Sequence, residues 1–186
     1  MANLDGAFGL RPIRHLTGGC IRLAEYSIAS GLAEDIFTGD LVKMTGTGTN
    51  VALAAAASTN GIGVFVGCRY VNSQGKQVFS PSWPTGTAGT DIVANICDDP
   101  NVVMQAQSTT IAAADVGTLV DLDDVAGSHV NGRSGQSIDG TSYGSGATFK
   151  VMGIVKSPDN AYGAYANVEV VFAGHALKGA TSAVGN

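Results

Sequence analysis

The feature that most constrains this 186-residue chain is the near absence of helical periodicity. In its place, short apolar or alternating runs recur between clusters of Gly, Asn, Asp and Pro, as strands do between tight turns. From Ile62 to Tyr70 the even positions Ile62, Val64, Val66, Cys68 and Tyr70 share one face, with Gly63, Gly67 and Arg69 opposite. Ala147–Val155 and Ala166–Phe172 form a late pair; in the second, Ala166, Val168, Val170 and Phe172 alternate with Asn167 and Glu169. Asp91–Cys97 and Val102–Ala106 flank Asp98-Asp99-Pro100-Asn101, where proline fixes φ and aspartate favours turns, so this pair is predicted as a hairpin. Ile21–Ser30 is a further strand whose apolar phase slips between Leu23 and Tyr26, the mark of a bulge. The best helix runs from Thr109 to Val116, with Gly117 just past its end, and is two turns at most. About ten short strands at this spacing predict an all-β fold, a sandwich or a barrel.

Three segments stand apart from the other residues of the 20–174 body. Residues 1–19 carry glycines, Pro12 and the basic cluster Arg11, Arg14 and His15, and are expected to form an extended N-terminal arm. Residues 131–146 are dominated by Gly and Ser and are expected as a long exposed loop, uncommon unless functional or mobile. Residues 175–186 form a small-residue, flexible C-terminal tail.

Charged residues make up 13% of the chain, against about 25% in an ordinary soluble domain. A free monomer keeps itself soluble with a dense coat of mixed charge. Here either Gly, Ser, Thr and Asn replace that coat, or other chains cover much of the surface. The net charge of −5 argues against broad nucleic-acid binding, which needs a basic face. Cys20, Cys68 and Cys97 are odd in number and widely spaced, fit no zinc site, and are expected as buried free thiols. Met1–Asp5 opens no basic-then-apolar leader, so no signal peptide is expected. No apolar run reaches the ~20 residues of a spanning helix, so the chain is expected in a cytoplasm, off the membrane.

Motifs for chemistry are thin. Gly46-Thr47-Gly48 and Gly61-Ile62-Gly63 lack the third glycine and following helix of a dinucleotide site. Asp121-Leu122-Asp123-Asp124 and Asp98-Asp99 lack the glycine and bidentate glutamate of a helix–loop–helix calcium loop and are expected as solvated turns; calcium at a subunit junction stays open. His15, His129 and His175 are scattered, and no serine sits in GxSxG. No catalytic residue, metal ligand or cofactor is assigned, and no enzymatic activity is expected.

Partner binding has better candidates. Ala7 to Arg14 alternates apolar and basic groups in a proline-stiffened chain that buries itself poorly alone. Laid along a neighbour, Phe8, Leu10 and Ile13 would fill pockets while Arg11 and Arg14 pair with acidic rims, a form of strand addition; the bland alternative is a disordered terminus. Trp83, held extended between Pro81 and Pro84, is either an interface anchor or a core plug under a loop.

The opening Met1-Ala2-Asn3-Leu4-Asp5-Gly6-Ala7-Phe8-Gly9-Leu10-Arg11-Pro12 resembles the start of a group of virion proteins of marine tailed phages. Glu25–Ala29, Gly39–Val42, Ala114–Gly117, Gly132–Gly135, Pro158–Asn160 and the closing strand with His175 are similar too. The group looks like head decoration, or cement, proteins. The resemblance implies a β-rich virion protein made in the bacterial host, bound outside the capsid to the major capsid protein, bridging capsomers as a homo-oligomer. A homotrimer is expected ahead of a dimer, with no direct nucleic-acid contact. The alternative is a tail- or fibre-associated β protein that adsorbs to a host glycan through Trp83 and the Gly/Ser loop.

Overall fold

The computed structural model describes residues 3–54, 61–141 and 148–178. Strands supply nearly all regular structure within them, as the sequence pattern predicts, and the only helical element there is the single 3-10 turn Ala113–Asp115. The helix expected over Thr109–Val116 is absent. Ala112, Ala113 and Ala114 are exposed, so a helix there would bury no apolar face, and short isolated helices do not hold in water.

Two six-stranded sheets make the body. In the first, β4 (Leu41–Met44), β5 (Asn50–Leu53), β2 (Ala24–Ile28), β9 (Thr90–Cys97) and β6 (Gly61–Val71) are neighbours in that order, and a β4–β6 pairing closes them into a barrel. β2 and β5 pair in parallel, through Ser27 with Asn50 and Ile28 with Val51; the other barrel pairs are antiparallel. β7 (Gln77–Ser80) extends this sheet beyond β6 as an edge strand. A two-strand ribbon of β3 (Ile36–Phe37) and β8 (Ser82–Trp83) plugs the barrel. Its Ile36 and Trp83 join Ile28, Val42, Val51, Ile62, Phe65, Cys68, Ala94 and Ile96 in one buried cluster.

The second sheet is antiparallel. Its order is β1 (Arg11–His15), β10 (Val102–Gln107), β16 (Asn167–Phe172), β14 (Phe149–Ile154), β12 (Leu119–Asp123) and β13 (Ser137–Asp139). One face carries Met104, Ala106, Val168, Val170, Phe149, Val151, Val120 and Leu122, packed with Leu41, Val64 and Cys97 from the barrel wall. The molecule is thus a barrel with a sheet laid against its outside, with a second core between them. A small pair, β11 (Thr110–Ile111) with β15 (Gly163–Ala164), closes one end.

Several local expectations are corrected. β9 and β10 are not a hairpin: they belong to different sheets, and Asp98–Asn101 is the strut that carries the chain from barrel to sheet. Nor is that strut a solvated turn. Asp98 is buried and accepts from the Tyr26 hydroxyl at 2.9 Å, and Asp99 meets His15 at 2.9 Å. Asp121–Asp123 likewise lies in β12, not in a turn. The expected shared face of Ile62, Val64 and Val66 is broken by two bulges. Val42 pairs with Gly63 and Lys43 with Gly61, which leaves Ile62 as an extra residue aimed into the barrel while Val64 faces the second core. Phe65 pairs with Ile96 and Gly67 with Asn95, which leaves Val66 extra. An inserted residue kinks its strand and shifts the alternation after it. The slip expected between Leu23 and Tyr26 has a different cause: β2 starts only at Ala24, and Ile21 and Leu23 lie outside it, exposed. Within the expected Gly/Ser loop, Ser134, Gln136, Ser137 and Ile138 are buried and part of it is β13, so residues 131–141 are not an exposed loop; the stretch 142–147 lies outside the described residues. Of the tail, His175 is buried against the ring of Phe172 at 4.8 Å, and 179–186 lie outside the described residues. Cys68 and Cys97 are buried as expected, but Cys20 is exposed.

Candidate interaction surface

The arm is ordered on its own chain. β1 adds as the outer strand beside β10, with Arg11 opposite Gln105 and His15 opposite Val102. Upstream, Gly9 N–H donates to Gln136 O (3.2 Å) and Leu10 N–H to Gly39 O (2.8 Å). Gly9 sits at φ 76°, and a Cβ there would lie 2.5 Å from the Ser134 Cβ, so this close approach requires glycine. Strand addition therefore occurs within the molecule, because β10 offers an open edge to a segment of the same chain. Leu10 is 2% exposed in the second core and cannot fill a neighbour's pocket. Arg14 is paired at 2.7 Å with the chain's own Glu169. Trp83 is fully buried with its ring edge on Tyr70, so it is the core plug and not an anchor.

The remaining arm candidates stay at the surface. Ile13 is the extra residue of a bulge in β1 and is exposed. Phe8 is half-buried and carries the Arg11 guanidinium over its ring at 4.7 Å, a cation–π contact. Beside them lies a cleft lined by Phe8, Arg11, Pro12, Val66 and Arg133. Val66 also lines the next hollow, with Leu23, Phe79 and Pro81. Val66 thus joins two hollows, one shared with Phe8 and Pro12 of the arm and rimmed by Arg11, Thr38 and Arg133, the other shared with Leu23 and Phe79 at the β7 edge. Val66 is there because the bulge ejects it from the sheet, and Phe79 is 73% exposed.

Among the described residues no strand pairs with the outer edge of β7. Asn72 N–H donates to Lys76 O, which makes that pair hydrogen-bonded; alternation makes Tyr70–Val78 and Cys68–Ser80 bonded too. The N–H and C=O of Gln77 and Phe79 then point away from β6. Free edges of this kind accept another strand. Lys76 and Pro81 bracket the exposed stretch and keep it short.

A buried polar knot fixes the arm beside this surface. Gln136 accepts from Leu41 N–H (2.8 Å) and donates to Ala54 O (3.2 Å) and Asp124 Oδ1 (3.0 Å). Asp40, next to Leu41, accepts from Phe37 N–H at 2.7 Å and is 2% exposed. Burial pushes its carboxyl up to about 6, with nearby Asp124 adding to the rise and bonds from Ser134 and Phe37 opposing it. The carboxyl tolerates this cost because both bonds favour its charged form.

Among the described residues no three His, Cys, Asp or Glu side chains converge as metal ligands, and no helix is long and apolar enough to cross a membrane. The histidines do not meet in one constellation: His15 binds Asp99, His129 lies 3.4 Å from Asp35, and His175 is buried beside Phe172. Sequence reasoning missed Leu23, Val66, Phe79 and Pro81. The one local signal was Phe79 beside the extended Ser80-Pro81-Ser82; Val66 needed the bulge. No family model, curated protein or solved structure matches the chain.

Proposed function

We propose that this chain is a structural virion protein, a head decoration or cement protein that binds the outside of a phage capsid and bridges its capsomers. The observation that carries the reading is the exposed apolar group Leu23, Val66 and Phe79 beside the outer edge of β7, which Val66 joins to the hollow at Phe8. Contiguous exposed apolar surface on a soluble protein marks a binding site. The low charge content and the resemblance of the opening segment to phage decoration proteins supply the partner: the major capsid protein. The mechanism is mechanical. Packaged DNA pushes shell subunits apart, and a cap that grips several of them must be released before they separate. Linked contacts act at high effective concentration, so each can be modest. The glycan-binding alternative loses its stacking platform with Trp83 buried.

The test is heat release of DNA from particles with and without the protein. Particles lacking it should lose DNA at a lower temperature, and adding the purified chain back should restore the difference. Equal release temperatures would refute the assignment.

A further inference from the structure

Charge is unevenly placed around residues 124–133. Of the five arginines, three are neutralised where they stand: Arg14 by Glu169, Arg22 by Asp98 and Arg69 by Glu25. Arg11 and Arg133 have no carboxylate within ion-pair distance among the described residues, yet they line the same cleft, with Phe8, Ser128 and Asn131. No acidic side chain lines it. The adjoining cleft has the opposite character: Glu34, Asp35, Asp40 and Asp124 line it with His129, and no lysine or arginine does. Ala126 and Gly127 form the wall common to both. On the same segment stand Val125 (49% exposed) and Val130 (98% exposed).

The segment is fixed in place. Ser128 N–H donates to Arg133 O and Gly132 N–H to Ser128 O, both at 2.9 Å. A Cβ on Gly127 would lie 2.3 Å from the Phe37 ring, so the loop is pressed directly onto β3. Little ordering is left to be lost on binding, which favours affinity.

A basic cleft and an acidic cleft side by side, with an apolar ridge between them, form a self-complementary surface. Rotation by a half-turn about the ridge sets each basic cleft against the acidic one of a second copy, the condition for an isologous interface. We propose that the chain forms a two-fold homodimer through residues 124–133, in which Arg11 and Arg133 of each copy face Glu34, Asp35 and Asp124 of the other and Val125 and Val130 pack near the axis. This differs from the trimer expected from the sequence. The Phe8 end of the apolar surface lies at this interface, whereas Leu23, Val66, Phe79 and Pro81 line neither cleft and stay free for another partner.

The test is the mass of the full chain in solution by light scattering, at low and high salt. The wild type is expected to be a dimer at low salt and to weaken as salt screens the exposed pairs. Arg11→Glu with Arg133→Glu in one variant, and Glu34→Arg with Asp124→Arg in another, should each weaken dimerisation at least about tenfold. An equimolar mixture of the two should restore it as a heterodimer, seen by native mass spectrometry. Because Asp124 holds Gln136, Glu34→Arg alone serves as the acidic-side variant if the double one does not fold. A wild type that is monomeric or trimeric, charge reversals that leave dimerisation unchanged, or a mixture that fails to pair would each overturn the proposal.

Discussion

Truncating Leu10 to alanine separates an arm docked on its own body from one that waits for a neighbour. Leu10 is 2% exposed, in a cluster with Leu41, Val64, Met104 and Ile138. Leu→Ala removes three carbons, and at about 0.8 kcal/mol for each the lost transfer energy is roughly 2.4 kcal/mol. A cavity lined by rigid strands collapses poorly, which brings the total to about 3–5 kcal/mol. For a chain of this length each kcal/mol moves the midpoint by about 2–4 °C, so L10A should melt at least about 6 °C below wild type. Leu4, 88% exposed on the same arm, is the control: Leu4→Ala should stay within about 0.5 kcal/mol. The assay is thermal unfolding followed by far-ultraviolet circular dichroism at several protein concentrations. If L10A and L4A melt together with wild type, or the L10A deficit appears only at concentrations where chains associate, the cis-docked arm is wrong.

Other consequences follow from the same geometry. The folded-state pKa of Asp40 lies above its unfolded value, at about 6, so its contribution is greatest at acid pH and is lost as pH rises through 6. Unfolding midpoints compared at pH 5 and pH 7 should show a loss that Asp40→Asn removes; an unchanged loss in D40N would contradict the assignment. Native protein should expose one thiol to a disulfide reagent, Cys20, with Cys68 and Cys97 reacting only after denaturation; burial, which pushes the Cys68 thiol up to about 11, slows it further. Phe79→Ser should leave the melting temperature within about 2 °C of wild type, since the side chain is 73% exposed, but abolish add-back binding to stripped heads measured by sedimentation. Retained binding would move the contact away from β7.

The sequence made the strands legible where one face is buried and one is wet. The alternation of Val168, Val170 and Phe172 with Asn167 and Glu169 is a direct record of β16 between core and surface. It failed where pairing is non-local. Nothing near Ser27 indicates a parallel partner at Asn50, and the turn chemistry of Asp98–Asn101 suits a hairpin as well as a strut between sheets. Bulges hide for a related reason: Ile62 and Val66 look in phase with their neighbours, and only the partner strand shows each as an extra residue. The arm posed a deeper ambiguity. Alternating apolar and basic residues fit an open sheet edge whether that edge belongs to the same molecule or another, so Leu10 read as a partner anchor although the chain buries it internally; Trp83, between its prolines, suited an anchor and a core plug equally, and the chain uses it as the plug. The surface that remains, from Phe8 through Val66 to Phe79, is assembled from segments far apart in sequence and leaves no local motif.

The most direct measurement is the stoichiometry of this polypeptide in purified virions, from stained gels against the major shell protein. The account predicts one copy for every few shell subunits, lost together with the heat resistance of the particle. A handful of copies per particle, or none, would contradict it.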